Sequence, residues 1–250
     1  HAKPPASFTE AVKLLGSALE LRHAKPKVVS NGPCKEIVED PRDFSNSNAE
    51  LPTLANLPIQ KCWPEDGGRF ITLPCVVTQD PDTGARNVGM YRMQVFDSQT
   101  TGMHWQLQKV AARHGKQYYD QGKRMPVSVF LGGDPVYPFC ATAPLPDGLD
   151  EFLLAGYLRG KSVPLIKCET NDLQVPANAD IVIEGYVDPT EELRDEGPFG
   201  DHTGFYTLPD KYPAFHITTI TRRSDSVYPS TIVGQPPMED FYMGSASVKI

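Results

Sequence analysis

The sequence predicts an α+β fold in which β-strands dominate, arranged as a barrel or sandwich with helical insertions. Three observations indicate this class. The 250 residues include 24 prolines and 20 glycines, a composition that favours short strands and turns over long helices. Several short apolar segments are rich in β-branched and aromatic residues and are bounded by turn residues. Apolar residues at helical spacing occur in only two or three places, and no internal repeat is visible.

The first predicted element is a helix over residues 7–23. Ser7 can cap it, Glu10 lies three residues further on, and leucines at positions 14, 15, 19 and 21 supply an apolar face. Residues 24–60 are rich in proline, asparagine, aspartate and serine, which predicts loop structure. We interpret residues 1–60 as a short helical and loop segment from an N-terminal region.

Strands are predicted through most of the remaining chain. The turn DPDTG at residues 80–84 separates a strand over 70–79, broken at Pro74, from a strand over 88–96, which predicts a hairpin. Further strands are predicted at residues 126–131, 163–170, 180–187 and 214–222.

Two helices are predicted between these strands. Residues 102–114 switch to helical spacing, and Gly115 provides a stop signal. Residues 149–158 have a second helical pattern, which Gly160 ends. Residues 155–162 resemble a phosphate-binding P-loop, but Ala155 replaces the first glycine and a helical pattern precedes the segment, so we reject that function.

Charge and cysteine content exclude several other function classes. The net charge of −7 predicts no broad attraction to nucleic acid or to an anionic membrane surface. The five cysteines contain no C-x-x-C pair, so reduced thiols in a cytoplasmic protein are the simplest interpretation. No apolar run approaches ~18 residues, so we expect no membrane span.

The two ends of the chain predict a fragment of a longer protein. The sequence starts at His1 without a methionine, and it ends on the apolar segment 246–250. We therefore expect residues 241–250 to begin a linker to a missing C-terminal domain.

The segment DEGPFGDHTG at residues 195–204 is the strongest candidate for chemistry. Glycines and a proline between Glu196 and Asp201 predict a rigid turn that fixes the two carboxylates. Such a pair can keep one carboxylate ionised and the other protonated, as acid–base catalysis near neutral pH requires. The alternative is a surface turn whose acids accept hydrogen bonds from neighbouring N–H groups.

Two further segments carry candidate ligands. Asn87 offers an amide oxygen to a hard cation, and Arg92 lies in phase with its strand, where it could hold a carboxylate bidentately. Glu151 opens the second helix and could join Asn87 on Mg²⁺ or Mn²⁺ if a phosphate and waters complete the shell. The alternatives are an ordinary strand with a surface arginine, and plain helix capping by Asp150 and Glu151.

These segments, in this order, resemble the UbiD decarboxylase family. Any one motif is weak, but so many in register are specific and favour the functional interpretation of each segment. The likeness covers most of residues 61–240 through CWPED (62–66), NVGMYR (87–92), MHW (103–105), PLPD (144–147), AGYLRG (155–160), NDLQVPA (171–177), IEGY (183–186), EGPFGDHTG (196–204) and GQPP (234–237).

The resemblance implies a flavin-binding split β-barrel as the catalytic core over residues 61–240, with prenylated FMN as cofactor. It places Asn87 and Glu151 at Mn²⁺ or Mg²⁺ beside the cofactor phosphate, and K⁺ near backbone oxygens of residues 140–143. The implied cofactor contacts are Thr72, Met90, Tyr91, Arg92, His104, Trp105, Gln106, Gln108, Lys109 and Val110.

The implied reaction is the reversible, non-oxidative decarboxylation of an aromatic, heteroaromatic or α,β-unsaturated acid by a carboxy-lyase. The modified flavin acts as an electron sink, Arg92 pairs with Glu196 and engages the substrate carboxylate, and Asp201 donates a proton. Expected partners are a flavin prenyltransferase, which supplies the cofactor, and further copies of the protein, which form a dimer or hexamer through the missing C-terminal domain.

Two positions separate the sequence from parts of the family. Gln108 stands where many relatives have a histidine that completes the metal site, and an amide is the weaker ligand. Asp201 is glutamate in the cinnamate-type branch, so aspartate indicates the hydroxybenzoate or heteroaromatic branch. The rival interpretation is a non-catalytic or accessory flavin-binding subunit. Gln108 and the apparent truncation of the chain favour it, whereas the presence of Arg92, Glu196 and Asp201 together favours catalysis.

Overall fold

The structure, a computed structural model, describes residues 23–39, 52–105, 110–146 and 148–247. The helix predicted over residues 7–23 lies outside these ranges except for His23. The β-strands in them are β1 Lys27–Val28, β2 Ile37–Glu39, β3 Phe70–Ile71, β4 Cys75–Gln79, β5 Arg86–Met90, β6 Met93–Gln94, β7 Thr100–Gly102, β8 Met125–Leu131, β9 Pro164–Lys167, β10 Gln174–Pro176, β11 Ile181–Val187, β12 Arg194–Glu196, β13 Phe199–Gly200, β14 Tyr206–Thr207, β15 Asp210–Tyr212 and β16 Ala214–Arg222.

Four α-helices and two short 3₁₀ helices accompany these strands in the described ranges. Strands therefore dominate and helices are inserted between them, which confirms the predicted α+β class. The α-helices are α1 Val110–Asp120, α2 Val136–Thr142, α3 Glu151–Arg159 and α4 Glu239–Ser247, and the 3₁₀ helices are Pro33–Lys35 and Leu54–Asn56.

A seven-stranded antiparallel sheet forms the centre of the fold. Its order is β2-β16-β11-β8-β4-β5, and β7 also pairs with β16. The predicted hairpin is β4-β5, with Val77 opposite Val88. Strand β5 is therefore an edge strand, and the N–H groups on its outer side are available to other parts of the chain.

Both faces of this sheet are buried. Along β8, Val127 and Val129 enter one hydrophobic core with Ala111 of α1, whereas Phe130 enters a second core with Phe152 of α3. Successive side chains of a strand point to opposite faces, so a strand buried on both sides is apolar throughout. The sheet thus separates α1 from α2 and α3, and the edge strand β5 lies where these layers meet.

Most strand predictions are confirmed with small changes at the ends. The strand over 214–222 has the predicted bounds, and the long strands predicted over 70–79 and 88–96 are each split in two. The strand predicted over 163–170 ends early at Lys167. The backbone N–H groups of Glu169 and Thr170 donate to the buried carboxylate of Glu184, at 2.8 and 2.7 Å, and not to a neighbouring strand.

The helix predicted over residues 102–114 is wrong at both ends. Gly102 belongs to β7 and lies opposite Ala214 of β16. The described helix α1 begins at Val110 and continues through Gly115, the predicted stop, to Asp120. Gly115 does not adopt the left-handed conformation that would end the helix, and a β-carbon on it would meet the Trp105 ring at an ordinary contact distance of 3.5 Å. Tertiary pairing and packing therefore override the local pattern.

The second predicted helix, over residues 149–158, is confirmed as α3. The Asp150 carboxylate caps its start by accepting the N–H of Phe152 at 2.9 Å. Gly160 ends it with a φ of 66°, a left-handed conformation that glycine adopts without steric cost. Helix α2 was not predicted.

Candidate active site

Arg92, Glu196 and His104 form a buried polar cluster. Arg92 Nε donates to Glu196 Oε1 at 2.9 Å, and Nη2 lies 2.9 Å from the same oxygen. His104 Nδ1 lies 3.1 Å from Oε1 and 3.2 Å from Oε2 of Glu196. Glu196 is only 1% exposed, so these two partners and not water offset its charge.

Arg92 lies between β5 and β6 in the chain, and two further contacts fix its guanidinium. Its carbon is 4.4 Å from the centroid of the Phe199 ring, a cation–π distance. Its Nη2 also donates to Thr207 Oγ1 at 3.3 Å. Both the edge and the face of the guanidinium are therefore held by the protein.

His104 lies between this cluster and an aromatic side chain. Its ring centroid is 4.3 Å from that of Tyr212, and its backbone N–H donates to the carbonyl of Arg92 at 3.3 Å. Burial, and then the negative charge of Glu196, raise the pKa of the Tyr212 hydroxyl. That hydroxyl therefore stays protonated at neutral pH.

The turn after Glu196 is held by buried side chains from elsewhere in the chain. The N–H of Gly197 donates to Gln94 Oε1 at 2.7 Å, and the N–H of Gly200 donates to Asp66 Oδ1 at 2.7 Å. Because Glu196 is buried and the turn is tied at both ends, the alternative of a free surface turn does not hold for this carboxylate.

Asp201 lies at the far end of the same turn, in a different environment. Its Oδ1 is 2.7 Å from His202 Nδ1, and its side chain is 20% exposed. It lines a cavity of about 180 Å³ beside Trp63. Within the described residues, no hydrogen bond or ion pair joins the Asp201 carboxylate to Arg92 or Glu196.

A larger cavity of about 850 Å³ lies between β5, α1 and the segment before α3. Met90 and Tyr91 line it from the end of β5, and Val110 lines it from the first turn of α1. The predicted ligands Asn87 and Glu151 line the same cavity. A concave site of this size is in the range that proteins use for cofactors, roughly 300–1,000 Å³.

Asn87 and Glu151 come together because the start of α3 packs on the edge strand β5. Glu151 Oε2 accepts the backbone N–H of Val88 at 2.9 Å. Burial raises the pKa of Glu151 to about 7, because the carboxylate has lost water without gaining a full countercharge. The Nδ2 atom of Asn87 is buried and has no hydrogen-bond partner among the described residues.

Two other predicted cofactor contacts, Thr72 and Trp105, do not line this cavity. Thr72 is buried, donates to the carbonyl of Thr231 at 2.8 Å and accepts the Thr231 N–H at 3.1 Å, so its hydroxyl holds the chain after β16. Trp105 is buried, and its Nε1 has no partner in the described part of the chain. Three predicted contacts lie outside the described residues, namely Gln106, Gln108 and Lys109.

One of the backbone carbonyls near the predicted K⁺ position already accepts a hydrogen bond within the fold. The carbonyl of Cys140 accepts the N–H of Ala143 at 3.2 Å at the end of α2. Ala141, Thr142 and Ala143 line the cavity of about 850 Å³.

Metal-binding clusters, disulfides and membrane spans are absent from the described ranges. No group of three or more histidine, cysteine, aspartate or glutamate side chains there could hold a metal ion, so a cation at Asn87 and Glu151 needs further oxygen donors. All five cysteines are free thiols, as the sequence predicts. None of the described helices is both long and apolar enough to cross a bilayer.

The sequence did not reveal three long-range contacts that support the site. Asp66 and Gln94 hold the turn after Glu196, while Arg86 donates to Asp150 Oδ2 at 2.6 Å beside the Asn87 position. The partners in these contacts are 134, 103 and 64 residues apart in the sequence, so no local pattern could reveal them.

Most of this chain matches the model of a single protein family. Residues 27–236 match the UbiD family model, described as the 3-octaprenyl-4-hydroxybenzoate carboxy-lyase Rift-related domain. The chain belongs to the UbiD family. This confirms the resemblance that the motifs indicate.

Two curated relatives of this chain are longer than it is. It is 49% identical over 247 residues to an uncharacterized protein of Archaeoglobus fulgidus, covering 98% of this chain and 49% of that protein. It is 49% identical over 246 residues to an uncharacterized protein of Aquifex aeolicus, again covering 98% and 49%. The chain thus spans about half the length of these relatives.

Solved structures of UbiD-class enzymes share the fold. The vanillic acid decarboxylase of Sedimentibacter hydroxybenzoicus in its closed form superposes with a TM-score of 0.79 at 28% identity, over 95% of this chain and 50% of that one. An evolved dimeric form of the UbiD-class enzyme HmfF from Pelotomaculum thermopropionicum, in complex with prFMN, gives a TM-score of 0.79 at 28% identity, over 98% and 57%.

Proposed function

We propose that the full-length protein is a prenylated-FMN-dependent decarboxylase. It removes CO₂ reversibly from an aromatic, heteroaromatic or α,β-unsaturated carboxylic acid. The observation that carries the proposal is the buried Arg92–Glu196 pair, with His104 on the same carboxylate and a large cavity on the adjoining strand. UbiD-class structures with matching folds include a vanillic acid decarboxylase and an enzyme in complex with prFMN, which supports the reaction class and the cofactor.

The cavity of about 850 Å³ fits a phosphorylated flavin. Its wall combines apolar groups, such as Met90 and Val110, with the cations Arg113 and Lys116. A flavin ring system needs the first kind of surface, and a phosphate needs the second. We assign Met90, Tyr91 and Val110 to the ring system.

Asn87 and Glu151 are the proposed ligands of a divalent cation, Mn²⁺ or Mg²⁺, at the cofactor phosphate. The raised pKa of Glu151 supports this, because a buried carboxylate that is short of positive charge is stabilised by a cation. Oxygen donors such as a carboxylate, an amide and a phosphate suit both ions. The site would then contain two protein ligands from the described residues, and phosphate and water would complete it.

Arg92 binds and orients the substrate carboxylate in this proposal. Glu196 and Phe199 hold the guanidinium before substrate arrives, so little conformational entropy is lost on binding. Bound prenylated FMN supplies the electron sink for the departing CO₂. Asp201 then delivers a proton to the carbon that has lost CO₂, from a turn that Asp66 fixes at the neighbouring Gly200.

The test is to co-express the full-length protein with a flavin prenyltransferase and to purify it with Mn²⁺ and K⁺ present. We expect a flavin absorption spectrum altered from that of FMN, and CO₂ release from at least one acid in a panel of hydroxybenzoates, heteroaromatic acids and cinnamates. Label from ¹³C-bicarbonate should enter the carboxyl group of that acid, because the reaction is reversible. Protein made without the prenyltransferase is the control.

The rival function, an accessory flavin-binding subunit, gives a different result in the same experiment. It predicts retained flavin, no CO₂ release from any acid and no exchange of ¹³C-bicarbonate. Failure to retain any flavin would contradict both functions. The oligomeric state, proposed as a dimer or hexamer of the full-length protein, is measured on the same sample by light scattering.

A further inference from the structure

We infer that Arg86 and Asp150 are positioning residues that fix the separation of Asn87 and Glu151 and thereby set the cation affinity of this pair. The inference rests on the proposed function, in which Asn87 and Glu151 hold the cation. The fold makes Arg86 and Asp150 the immediate chain neighbours of the two ligands.

The first contact joins the strand to the helix directly. Arg86 precedes Asn87 on β5, and Asp150 precedes Glu151 at the start of α3. Arg86 Nη2 donates to Asp150 Oδ2 at 2.6 Å. Each ligand is thus one residue from an end of this ion pair, so a shift of α3 along β5 would break the pair and separate the ligands.

The Arg86 guanidinium also contacts Phe152, the residue that follows Glu151 in the chain. Its carbon lies 5.0 Å from the centroid of the buried Phe152 ring, and Nη1 donates to Gln174 Oε1 at 3.1 Å. Arg86 therefore contacts both chain neighbours of Glu151, namely Asp150 before it and Phe152 after it. A guanidinium fixed on its edge and its face is more restricted than a lysine ammonium would be.

Asp150 uses its two carboxylate oxygens for different tasks. Oδ1 accepts the N–H of Phe152 and caps α3, whereas Oδ2 accepts from Arg86. The Arg86 and Asp150 side chains are 17% and 28% exposed, so the pair is partly shielded from solvent. Removal of charged contacts that orient metal ligands in this way commonly changes metal affinity.

The test measures Mn²⁺ binding and not turnover. Full-length protein is freed of divalent metal, mixed with FMN and titrated with Mn²⁺, and the electron paramagnetic resonance signal of free aqueous Mn²⁺ is followed. We expect Arg86→Gln and Asp150→Ser each to weaken Mn²⁺ binding on the order of 10–100-fold. Serine retains a good helix cap, so Asp150→Ser removes the ion pair while α3 can still start at the same place.

Three further variants sharpen the result. The double variant Arg86→Gln/Asp150→Ser should bind Mn²⁺ about as weakly as either single variant, because the two residues act as one unit. Arg86→Lys should give an intermediate affinity. The matched control is Arg124→Gln, which breaks an Arg–Asp ion pair outside the cavity lining; the Arg124 side chain is 61% exposed and pairs with Asp188 at 3.0 Å. We expect wild-type affinity from the control.

The alternative is that the ion pair only stabilises the packing of α3. In that case the folded variants would have a lower melting temperature but wild-type Mn²⁺ affinity, which would overturn the inference and leave the proposed function intact. If the wild-type protein with FMN does not bind Mn²⁺, the proposed cation site fails and the inference fails with it. Should Arg86→Gln not fold, Asp150→Ser and Arg86→Lys decide the question.

Discussion

Arg92 and Glu196 meet through a single carboxylate oxygen, which lies 2.9 Å from both Nε and Nη2 of the guanidinium. The Glu196 side chain is fully buried and the Arg92 side chain is 15% exposed. A carboxylate in such a place is stable only while its cationic partner Arg92 remains in contact with it. The guanidinium is consequently fixed by the protein itself, in the orientation proposed for binding a substrate carboxylate.

The first prediction concerns the loss of this charge pair. Glu196→Gln keeps the shape of the side chain but leaves Arg92 partly buried without a countercharge. We expect the free energy of unfolding to fall by roughly 2–4 kcal/mol, somewhat less than for a fully buried pair because Arg92 retains some solvent contact. Urea denaturation of the purified variant measures this change.

The control for this prediction is the adjacent residue Asp195. Its side chain is 74% exposed and pairs with Lys211 at 3.2 Å, so Asp195→Asn should change the free energy of unfolding by less than about 1 kcal/mol. Equal losses in Glu196→Gln and Asp195→Asn would contradict the importance of the buried pair.

The sequence predicted the long strands well and the long-range contacts poorly. The strand Ala214–Arg222 has a pattern that sheet pairing reinforces, so local propensity and tertiary structure agree. At Gly102 they disagree, because pairing with Ala214 outweighs the helical spacing of the apolar residues around it. Helix α2 was missed because it is short and contains a proline, Pro138.

For the candidate site, the residues could be predicted from the sequence, but the contacts that hold them in place could not. Asn87, Arg92 and Glu196 occur in motifs typical of one family, and Glu151 was proposed because it opens the predicted second helix. The Asp66–Gly200 contact joins residues 134 positions apart, and no periodicity links them. The role of Asp201 as proton donor stays a prediction.

The second stability prediction concerns the close approach of Gly67 to the turn after Glu196. The Gly67 N–H donates to the carbonyl of Pro198 at 2.7 Å, and a β-carbon at Gly67 would lie 2.0 Å from the carbonyl oxygen of Gly197. Gly67→Ala must therefore displace the turn backbone. We expect the free energy of unfolding to fall by roughly 2–3 kcal/mol, measured by urea denaturation.

Gly244 in α4 provides the matched comparison for Gly67. A β-carbon there meets no atom within 4 Å, and alanine is the better helix former. Gly244→Ala should therefore leave stability unchanged or raise it slightly. A Gly67→Ala protein as stable as Gly244→Ala would show that the turn is not tightly packed.

A pH effect is expected from His114 on α1. Burial lowers the pKa of this imidazole below its usual value of 6.5, while the charge of Asp80 opposes the shift and that of Arg113 adds to it. Its Nδ1 lies 3.0 Å from Thr78 Oγ1. The folded state therefore binds the proton less readily than the unfolded state, and the stability that neutral His114 provides is present above pH 6.5 and is lost as the pH falls.

The measurement compares unfolding free energies of wild type and His114→Asn between pH 7.5 and pH 5. Below pH 6.5 the wild type should lose up to about 1.4 kcal/mol per pH unit more than the variant, because the other titrating groups are common to both. His23→Asn, at an exposed position, is the control and should follow the wild type. Parallel curves for wild type and His114→Asn would contradict the assignment.

The last prediction tests Asp201 as the proton donor of the proposed reaction. Asp201→Asn keeps the size of a partly exposed side chain, so the fold, the Arg92–Glu196 pair and cofactor binding should all remain. An amide cannot deliver the proton, and we expect kcat to fall on the order of 10²–10⁴-fold. Stopped assays of CO₂ release measure turnover, and the flavin spectrum of the same sample reports cofactor content.

Asp195→Asn is again the control, because this variant removes a carboxylate from the same segment at an exposed position. It should retain wild-type kcat. If Asp201→Asn also retained wild-type kcat, the proton would have to come from another group or from water, and Asp201 would have no role in the chemical step. If Asp201→Asn lost turnover together with its flavin, the residue would act in cofactor binding. Only retained flavin with lost turnover supports proton transfer from Asp201.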